Sequence, residues 1–539
     1  MLKGTLVLLT GAMLLGSLSP VCAEETTRTP PPRVYTTGSA ADVRSPSQAG
    51  KAAFTAQELE DLDAQPQEPL SNAMGKRMLD TLGQTQLALN FVWTLLAAFL
   101  VMFMQTGFAM IETGFCRAKN AVHVAMTNLL IYPVASLGFW LCGFAFMFGG
   151  IGGSVSEPVH LGSLALLSNE LPSIKHIGLI GWSGFCLSSS VDHPSVFALF
   201  LFHVVFLDTM ATIPTGAMAE RWRFSVFLVY GLFASIIIYP IYGNWVWGGG
   251  WLATLGQSFG LGHGAVDFAG SGVVHAIGGF TALAGVRALG PRLGRFTDGA
   301  FADSTVDRAQ FKPHNVPLAI LGTFILAFGW FGFNAGSTLG VVGAGNLRIS
   351  LIAVNTLLAS ASGATAALVY MKFCSRYQSF EPSMSANGML AGLVAITASC
   401  AFVGTWAAVV IGAVAGFLVC KSHFFLETHF RVDDPVGAIS VHGTCGLWGV
   451  IALGIFANGT YGEEWNGIAG PVKGVILGDL GQLGAQLMSS AVCAAWAFGV
   501  ASALFWVQKK LMGGELRPTR AVEKKGLDDP EMGITAYGH

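Results

Sequence analysis

The sequence predicts an all-α polytopic membrane protein with eleven transmembrane helices, arranged as an inverted five-helix repeat plus a final helix. The chain of 539 residues is 53% hydrophobic and only 11% charged, whereas soluble domains carry about a quarter charged residues. Eleven apolar stretches are long enough to cross a bilayer. One short motif opens both the fifth and the tenth of these stretches, which supports an internal repeat.

The N-terminal part of the chain differs in composition from the remainder. Residues 1–23 contain a lysine, a short apolar run and small residues at the end, the pattern of a secretory signal peptide. The alternative is a first membrane helix, for which this run is short. Residues 24–85 are rich in Pro, Thr, Gln and Asp and are predicted to form an extracytoplasmic extension or linker. A transmembrane domain is predicted at 86–510, followed by a cytoplasmic tail at 511–539.

Each predicted helix is an apolar stretch of about 20 residues or more, the length that spans a hydrocarbon core of about 30 Å. The eighth and ninth stretches are separated by very few residues, so their boundary is the least defined. The stretches lie near 86–113, 122–150, 194–219, 224–247, 266–289, 316–337, 348–374, 384–401, 403–422, 435–457 and 474–508.

The distribution of basic residues predicts the orientation of these helices. If the N-terminus lies outside, the inner connections and the tail hold 19 of the 29 Lys and Arg residues. The outer loops after the second stretch then hold only Lys175, Arg348 and Lys473. The positive-inside rule therefore places the N-terminus outside and the C-terminus in the cytoplasm. A signal peptide agrees with this orientation, and a bacterial plasma membrane is the predicted location.

The repeated motif places an aspartate eight residues before a histidine. The first copy is DFAGSGVVH, from Asp267 to His275, and the second is DPVGAISVH, from Asp434 to His442. Because the copies lie five spans apart, their helices run in opposite directions, which is typical of an inverted repeat. Eight helical residues rise about 12 Å, and half the hydrocarbon core measures about 15 Å. Both imidazoles are therefore expected to meet near the midplane.

Ionisable side chains inside a membrane are costly and are commonly functional. A single histidine there could be a core residue bonded to a carbonyl group, but a symmetric pair favours a functional site. Asp267 and Asp434 stand at helix starts, where a carboxylate can cap free amides, and Asp434 is interpreted as structural. For Asp208 and Glu112 a structural role and a functional role both stay open.

Other functional classes find little support in the sequence. The nine cysteines show no paired spacing, so neither a disulfide framework nor a zinc site is indicated. No basic cluster suggests a nucleic-acid partner. We predict no cofactor, no metal ion and no catalytic residue, and hence a protein that is not an enzyme. A haem-binding electron carrier would need more histidines paired across facing helices, and His123 and His203 lack repeat symmetry.

Several motifs together resemble those of one family. The segments AERWRFS, VWGGG, DFAGSGVVH, GWFGFNAGS and VDDPVGAISVHGTCG are similar to those of the ammonium transporter (Amt/Rh) family, and the resemblance extends from residue 86 to the end. It implies a homotrimer of eleven-helix protomers in membrane lipid, each with its own pore for ammonium or ammonia. It also implies that the tail segment GLDDPEMGITAYGH contacts a PII-type regulatory protein, whereas composition alone predicts a solvated tail.

The resemblance also implies roles for individual residues. They are, for substrate binding, Phe206, Trp247 and Ser337; for the gate and the pore, Phe206, Phe333, His275 and His442; and for support of the site, Asp267, Trp330 and Thr397. An aromatic face attracts a small cation by about 0.5–2 kcal/mol. A narrow apolar channel then excludes ions, whereas ammonium can cross as neutral ammonia, to which a neutral imidazole offers one donor and one acceptor. An ammonium sensor that signals through a separate cytoplasmic protein is the alternative function.

Overall fold

The computed structural model describes most of the chain after its N-terminal segment. The predicted signal peptide at 1–23 and most of the predicted extension at 24–85 lie outside the described residues. The described residues are 72–168, 170–171, 178–296, 311–342 and 348–537.

Eleven apolar helices form the body of the described chain, and ten of them are long enough to cross a membrane. The predicted all-α polytopic fold is therefore confirmed. The only strands among the described residues are the antiparallel pair Glu170–Leu171 and Ile180–Gly181. The helices are α1 (Asn72–Phe115), α2 (Ala118–Phe148), α3 (Pro194–Ala217), α4 (Phe224–Trp247), α5 (Ser271–Leu289), α6 (Val316–Gly336), α7 (Ile349–Cys374), α8 (Pro382–Ile396), α9 (Thr405–Phe430), α10 (Ile439–Phe456) and α11 (Leu480–Leu511).

Several helix boundaries differ from the prediction, and three of these differences have a clear place in the fold. Helix α1 begins at Asn72, so the last part of the predicted extension is helical. Helix α8 ends at Ile396 and not at residue 401, because the backbone that follows bonds to the segment before α5. Helix α9 continues to Phe430, since residues 423–430, beyond the predicted end, contain neither proline nor glycine.

The unwound segment after α8 packs against the start of the first repeat copy. The Ala269 amide donates to the Thr397 carbonyl oxygen (3.2 Å), and the Phe268 amide donates to the Ala398 carbonyl oxygen (3.1 Å). The Ser271 hydroxyl oxygen accepts from the Ala398 amide at 2.7 Å. These backbone groups are thus paired across the contact and are unavailable for further turns of α8.

The two copies of the Asp–His motif fold alike. In each copy the aspartate side chain caps free amides at the helix start, and a glycine with positive φ, Gly270 at 108° or Gly437 at 79°, precedes the helix. Asp267 accepts from the amides of residues 270, 272 and 273 at 2.9–3.0 Å, and Asp434 accepts from those of 436, 437 and 439 at 2.8–3.3 Å. Both histidines then lie in a π-helical turn. The shared geometry supports the predicted repeat.

Helices α5 and α10 approach each other closely beside the histidines. A Cβ atom added at Gly279 would lie only 2.1 Å from the Gly443 backbone nitrogen. Because no side chain fits between the two backbones, glycine is required at this crossing. The close contact brings the side chains of the two repeat copies within reach of one another.

The C-terminal tail packs onto one end of the helical body, here called the tail end. The Leu527 amide donates to Asn120 Oδ1 (2.9 Å), and the His123 amide donates to Asp528 Oδ1 (2.9 Å). Arg517 forms two hydrogen bonds with the buried Glu523 carboxylate. The start of the segment predicted from composition to be solvated is therefore buried, because its groups find partners on the loops of the body, whereas residues 533–537 are exposed.

Candidate functional site

A cavity of about 490 Å³ opens at the end of the body opposite the tail, here called the vestibule end. Phe206, Trp247 and Ser337, which were predicted to bind substrate, all line it. The Asp267 segment also reaches the cavity wall. Helices α3, α4 and α6 thus bring together residues that lie far apart in the sequence.

Hydrogen bonds hold the polar groups of the vestibule in place. Trp247 Nε1 donates to the Asp267 backbone carbonyl at 2.6 Å, which fixes the orientation of the indole ring. The Ser337 hydroxyl donates to the Phe333 carbonyl at 2.8 Å. Since its only hydrogen is used in this bond, the hydroxyl oxygen can act only as an acceptor towards the cavity. An aromatic face and an acceptor oxygen are suited to a small cation with N–H donors.

His203 also lines the vestibule, although sequence reasoning set it aside. Its ring lies 4.4 Å from the Phe148 ring and 5.5 Å from the Trp247 ring, centroid to centroid. The side chain is only 6% exposed, and Nδ1 has no hydrogen-bond partner among the described residues. Its position in the apolar helix α3 carries no sequence signal for this placement, because only the fold turns it towards the cavity.

Two stacked phenyl rings close the bottom of the vestibule. The Phe206 and Phe333 ring centroids lie 4.0 Å apart, and the ring planes differ by 22°. Both side chains are almost completely buried. The Phe333 ring is also stacked on the His275 ring, at 5.4 Å, so the stack separates the vestibule from the histidines.

The predicted convergence of the two repeat histidines is confirmed. His275 Nδ1 and His442 Nδ1 lie 3.2 Å apart, and the ring centroids are 5.2 Å apart. One Nδ1 must carry the proton and the other must accept it. Consequently one Nε2 is left as an acceptor and the other as a donor, whichever way the pair is protonated. His275 Nε2 has no partner among the described residues.

Two of the predicted supporting residues, Trp330 and Thr397, form a hydrogen-bonded pair beside His275. The Trp330 ring is stacked on the imidazole with a centroid distance of 5.0 Å and an interplanar angle of 21°. Trp330 Nε1 donates to Thr397 Oγ1 (2.9 Å), and this hydroxyl in turn donates to the Leu393 carbonyl (2.7 Å). This chain of bonds fixes the indole plane against which the imidazole rests.

A second, small cavity of about 20 Å³ lies on the other side of the histidine pair. His442, Phe108 and Glu112 line it. A third cavity of about 110 Å³ shares Asn387 and Val436 with the second one and continues to the tail end. The vestibule, the phenyl stack, the histidines and the two smaller cavities are thus arranged in sequence along the body.

Asp208 does not take part in this arrangement. It is buried in α3, and its Oδ1 has no hydrogen-bond partner among the described residues. It is absent from the linings of the vestibule and of the cavity beside His442. The position of Asp208 therefore gives it no contact with the candidate pathway.

Comparisons with known proteins agree with this architecture. The family model described as Ammonium Transporter Family matches residues 92–537. The chain is 46% identical to "Ammonium transporter Amt2" of Archaeoglobus fulgidus over 455 residues, which cover 84% of this chain and 89% of that protein. It is 35% identical to "Ammonium transporter 1 member 3" of Solanum lycopersicum, with 84% and 93% covered.

Solved structures give the same result. A structure named "Sensor Amt Protein" superimposes with a TM-score of 0.70 at 36% identity, covering 83% of this chain and 99% of that one. Mep2 of Saccharomyces cerevisiae superimposes with a TM-score of 0.65 at 26% identity, with 80% and 88% covered. The residues that the family model matches include both histidines and most of the docked tail. The chain therefore belongs to the ammonium transporter family, whose members are membrane transporters and not enzymes.

Proposed function

We propose that the chain recruits ammonium at the aromatic vestibule, removes a proton from it and conducts ammonia past the twin histidines. The observation that carries this proposal is the 3.2 Å contact between His275 Nδ1 and His442 Nδ1, directly behind the Phe206–Phe333 stack. A buried pair of neutral imidazoles offers ammonia both an acceptor and a donor.

Deprotonation accounts for selectivity against other cations. A bare cation that enters a buried apolar passage loses its hydration, which costs many kcal/mol unless protein groups replace it. Potassium has no proton to give up and keeps its charge. Ammonium can transfer one proton and continue as a neutral molecule, for which the apolar lining is only a small barrier.

We further propose an orientation and an assembly. The positive-inside distribution of Lys and Arg supports an outward-facing vestibule and a cytoplasmic tail in a bacterial plasma membrane. The family resemblance supports a homotrimer with one pathway per protomer. It also supports a PII-type regulatory protein as a partner of the docked tail, whose last described residues remain exposed beyond the Asp528 contact.

An ammonium sensor is a second candidate, because a similar solved structure carries the name "Sensor Amt Protein". A sensor would bind ammonium at the same vestibule but would not need to conduct it. An ammonium-dependent change in tryptophan fluorescence that is lost in Trp247→Leu, without any ammonium flux, would favour this candidate.

The proposed function can be tested with the purified protein in liposomes. An inward ammonium gradient should produce either an inward current on a solid-supported membrane or alkalinisation of the vesicle interior. An equal potassium gradient should produce neither signal. Absence of both ammonium signals, with correctly inserted protein, would refute transport, and an equal potassium current would refute selection by deprotonation.

We expect Trp247→Leu to raise the apparent KM for ammonium about 2- to 30-fold, because a cation–π contact contributes about 0.5–2 kcal/mol. The maximal rate should change less, since the passage behind the phenyl stack is untouched. Trp245→Leu is a matched control, because Trp245 lies two residues away but does not line the vestibule. Equal effects of the two substitutions would argue against the recruitment site.

A further inference from the structure

Glu112 lies directly beyond the histidine pair on the side of the tail end. It follows Phe108 by one turn of α1, so both side chains project from the same face of the helix. The Phe108 ring lies 6.2 Å from the His442 ring, and all three side chains line the cavity of about 20 Å³. A cavity of this size holds about one small molecule such as water or ammonia.

The Glu112 carboxylate has only neutral hydrogen-bond partners. Asn128 Nδ2 donates to Oε2 at 2.6 Å, and Thr215 Oγ1 lies 2.8 Å from Oε2 and 3.0 Å from Oε1. The side chain is 2% exposed, and no Lys or Arg of the described residues pairs with it. A buried carboxylate without a counter-ion is strongly destabilised. The group therefore favours a proton, or a cation in the adjacent cavity.

The surrounding polar network holds the carboxylate in position. Thr212 Oγ1 donates to Asn128 Oδ1 (3.0 Å), and Gln105 Nε2 donates to the Asn128 carbonyl oxygen (2.7 Å). Asn128, whose amide bonds Glu112, is thereby held by neighbours on two other helices, α3 and α1. A carboxylate has about four lone-pair sites, so acceptor capacity remains for a molecule in the cavity. The titratable group on the opposite wall is His442, and Asp434 adds a second acidic group on the tail side.

We propose that Glu112 is the proton-transfer group on the tail side of the twin histidines, an inference that rests on the proposed function. A protonated His442 gives its proton to the carboxylate, directly or through one water, so that an N–H bond breaks and an O–H bond forms. The Glu112 carboxyl then gives this proton to ammonia, which leaves as ammonium, and the carboxylate is restored. Ammonia and the proton thus reach the tail end together, and transport carries charge.

The test compares ammonium-driven currents of three variants in liposomes. Glu112→Gln keeps the shape and an acceptor oxygen but cannot take up a proton, and its current should fall at least tenfold. Asp208→Asn, the same type of change at a buried carboxylate outside the pathway, should keep the wild-type current. Glu112→Asp should retain part of the current with an altered pH dependence, which a purely structural group would not produce.

The outcomes separate this inference from the proposed function. Two results would overturn the role of Glu112 while leaving transport intact. One is that the wild type alkalinises the vesicle interior without a current, and the other is that Glu112→Gln gives the wild-type current. Absence of both wild-type signals would overturn transport itself. If Glu112→Gln does not assemble, the current of Glu112→Asp tests the proposal instead. A wild-type pH dependence of that current would contradict the proposal.

Discussion

Ammonium transport is expected to fall at least tenfold in the double variant His275→Leu, His442→Leu. Leucine occupies much of the imidazole volume but offers no polar atom, so ammonia would pass the narrowest segment without a hydrogen bond. An unmet hydrogen bond in a buried site costs about 1–3 kcal/mol, and about 1.4 kcal/mol corresponds to a factor of ten in rate. The initial rate of uptake into liposomes measures the effect.

The imidazole rings of His275 and His442 are coupled, and the single variants test this coupling. Because His275 Nδ1 and His442 Nδ1 share one proton, loss of either partner leaves the other with a buried unpaired nitrogen. Each single leucine variant should therefore lose most of the activity that the double variant loses. His429→Gln, at the exposed end of α9, is a control that should transport like the wild type. Selective uptake at the wild-type rate by the double variant would contradict the proposed passage.

The sequence was sufficient to predict the position of this pair for a physical reason. Intramembrane ionisable groups are rare because they are costly, so two copies of one Asp–His spacing stand out against an apolar background. The reversed direction of the two helices then brings His275 and His442 to the same point. No other part of the site has such a strong local signal.

Residues whose roles depend on packing alone were less accessible to sequence reasoning. The chain contains 38 phenylalanines, and only the family resemblance distinguished Phe206 and Phe333 from the others. His203 lacks repeat symmetry, and nothing in the sequence places it in the vestibule, because its ring partners, Phe148 and Trp247, come from other helices. The sequence leaves the role of Glu112 open for the same reason, since its cavity is lined by residues from α1, α3, α6, α8 and α10.

The early end of α8 illustrates the same limit for the fold. Apolar residues continue past Ile396, and hydropathy alone predicts a longer helix. Backbone pairing between Ala269 and Thr397 competes with further helical turns, and this competition depends on a contact between distant parts of the chain. Helix existence thus follows from local composition, whereas this boundary is set by tertiary structure.

A buried cluster of charges holds the loops together at the tail end. Arg292 donates to both oxygens of Asp433 at 2.8–2.9 Å and to Glu220 Oε1 at 2.7 Å. Burial alone would lower the pKa of the Arg292 guanidinium, but Asp433 and Glu220 outweigh it and hold this pKa above its ordinary value. Burial would likewise raise the pKa of the Asp433 carboxyl, but Arg292 and Arg221 hold it well below its ordinary range.

The depressed pKa values of the two acids define how stability depends on pH. The pKa of Glu220 is also lowered, because Arg292 and Arg117 outweigh the effect of burial. A carboxyl whose pKa is lower in the folded state stabilises the fold above its unfolded pKa, about 4, and loses this contribution as the pH falls through the folded value. The wild-type cluster should therefore make its full contribution to the stability of the fold at pH 7 and lose it only in strong acid.

Arg292→Met should lower the stability of the protein by about 3 kcal/mol or more at pH 7, because removal of one partner leaves buried carboxylates without their main counter-ion. Thermal unfolding in detergent, followed by tryptophan fluorescence, measures the loss. Protonation removes the charge of a buried carboxylate that has lost its counter-ion. The loss of stability in Arg292→Met should therefore be smaller at pH 5 than at pH 7. Lys525→Met removes a cation from an exposed pair with Asp529 and should change stability by less than about 1 kcal/mol. A deficit in Arg292→Met no larger than in this control would show that the cluster does not stabilise the tail end.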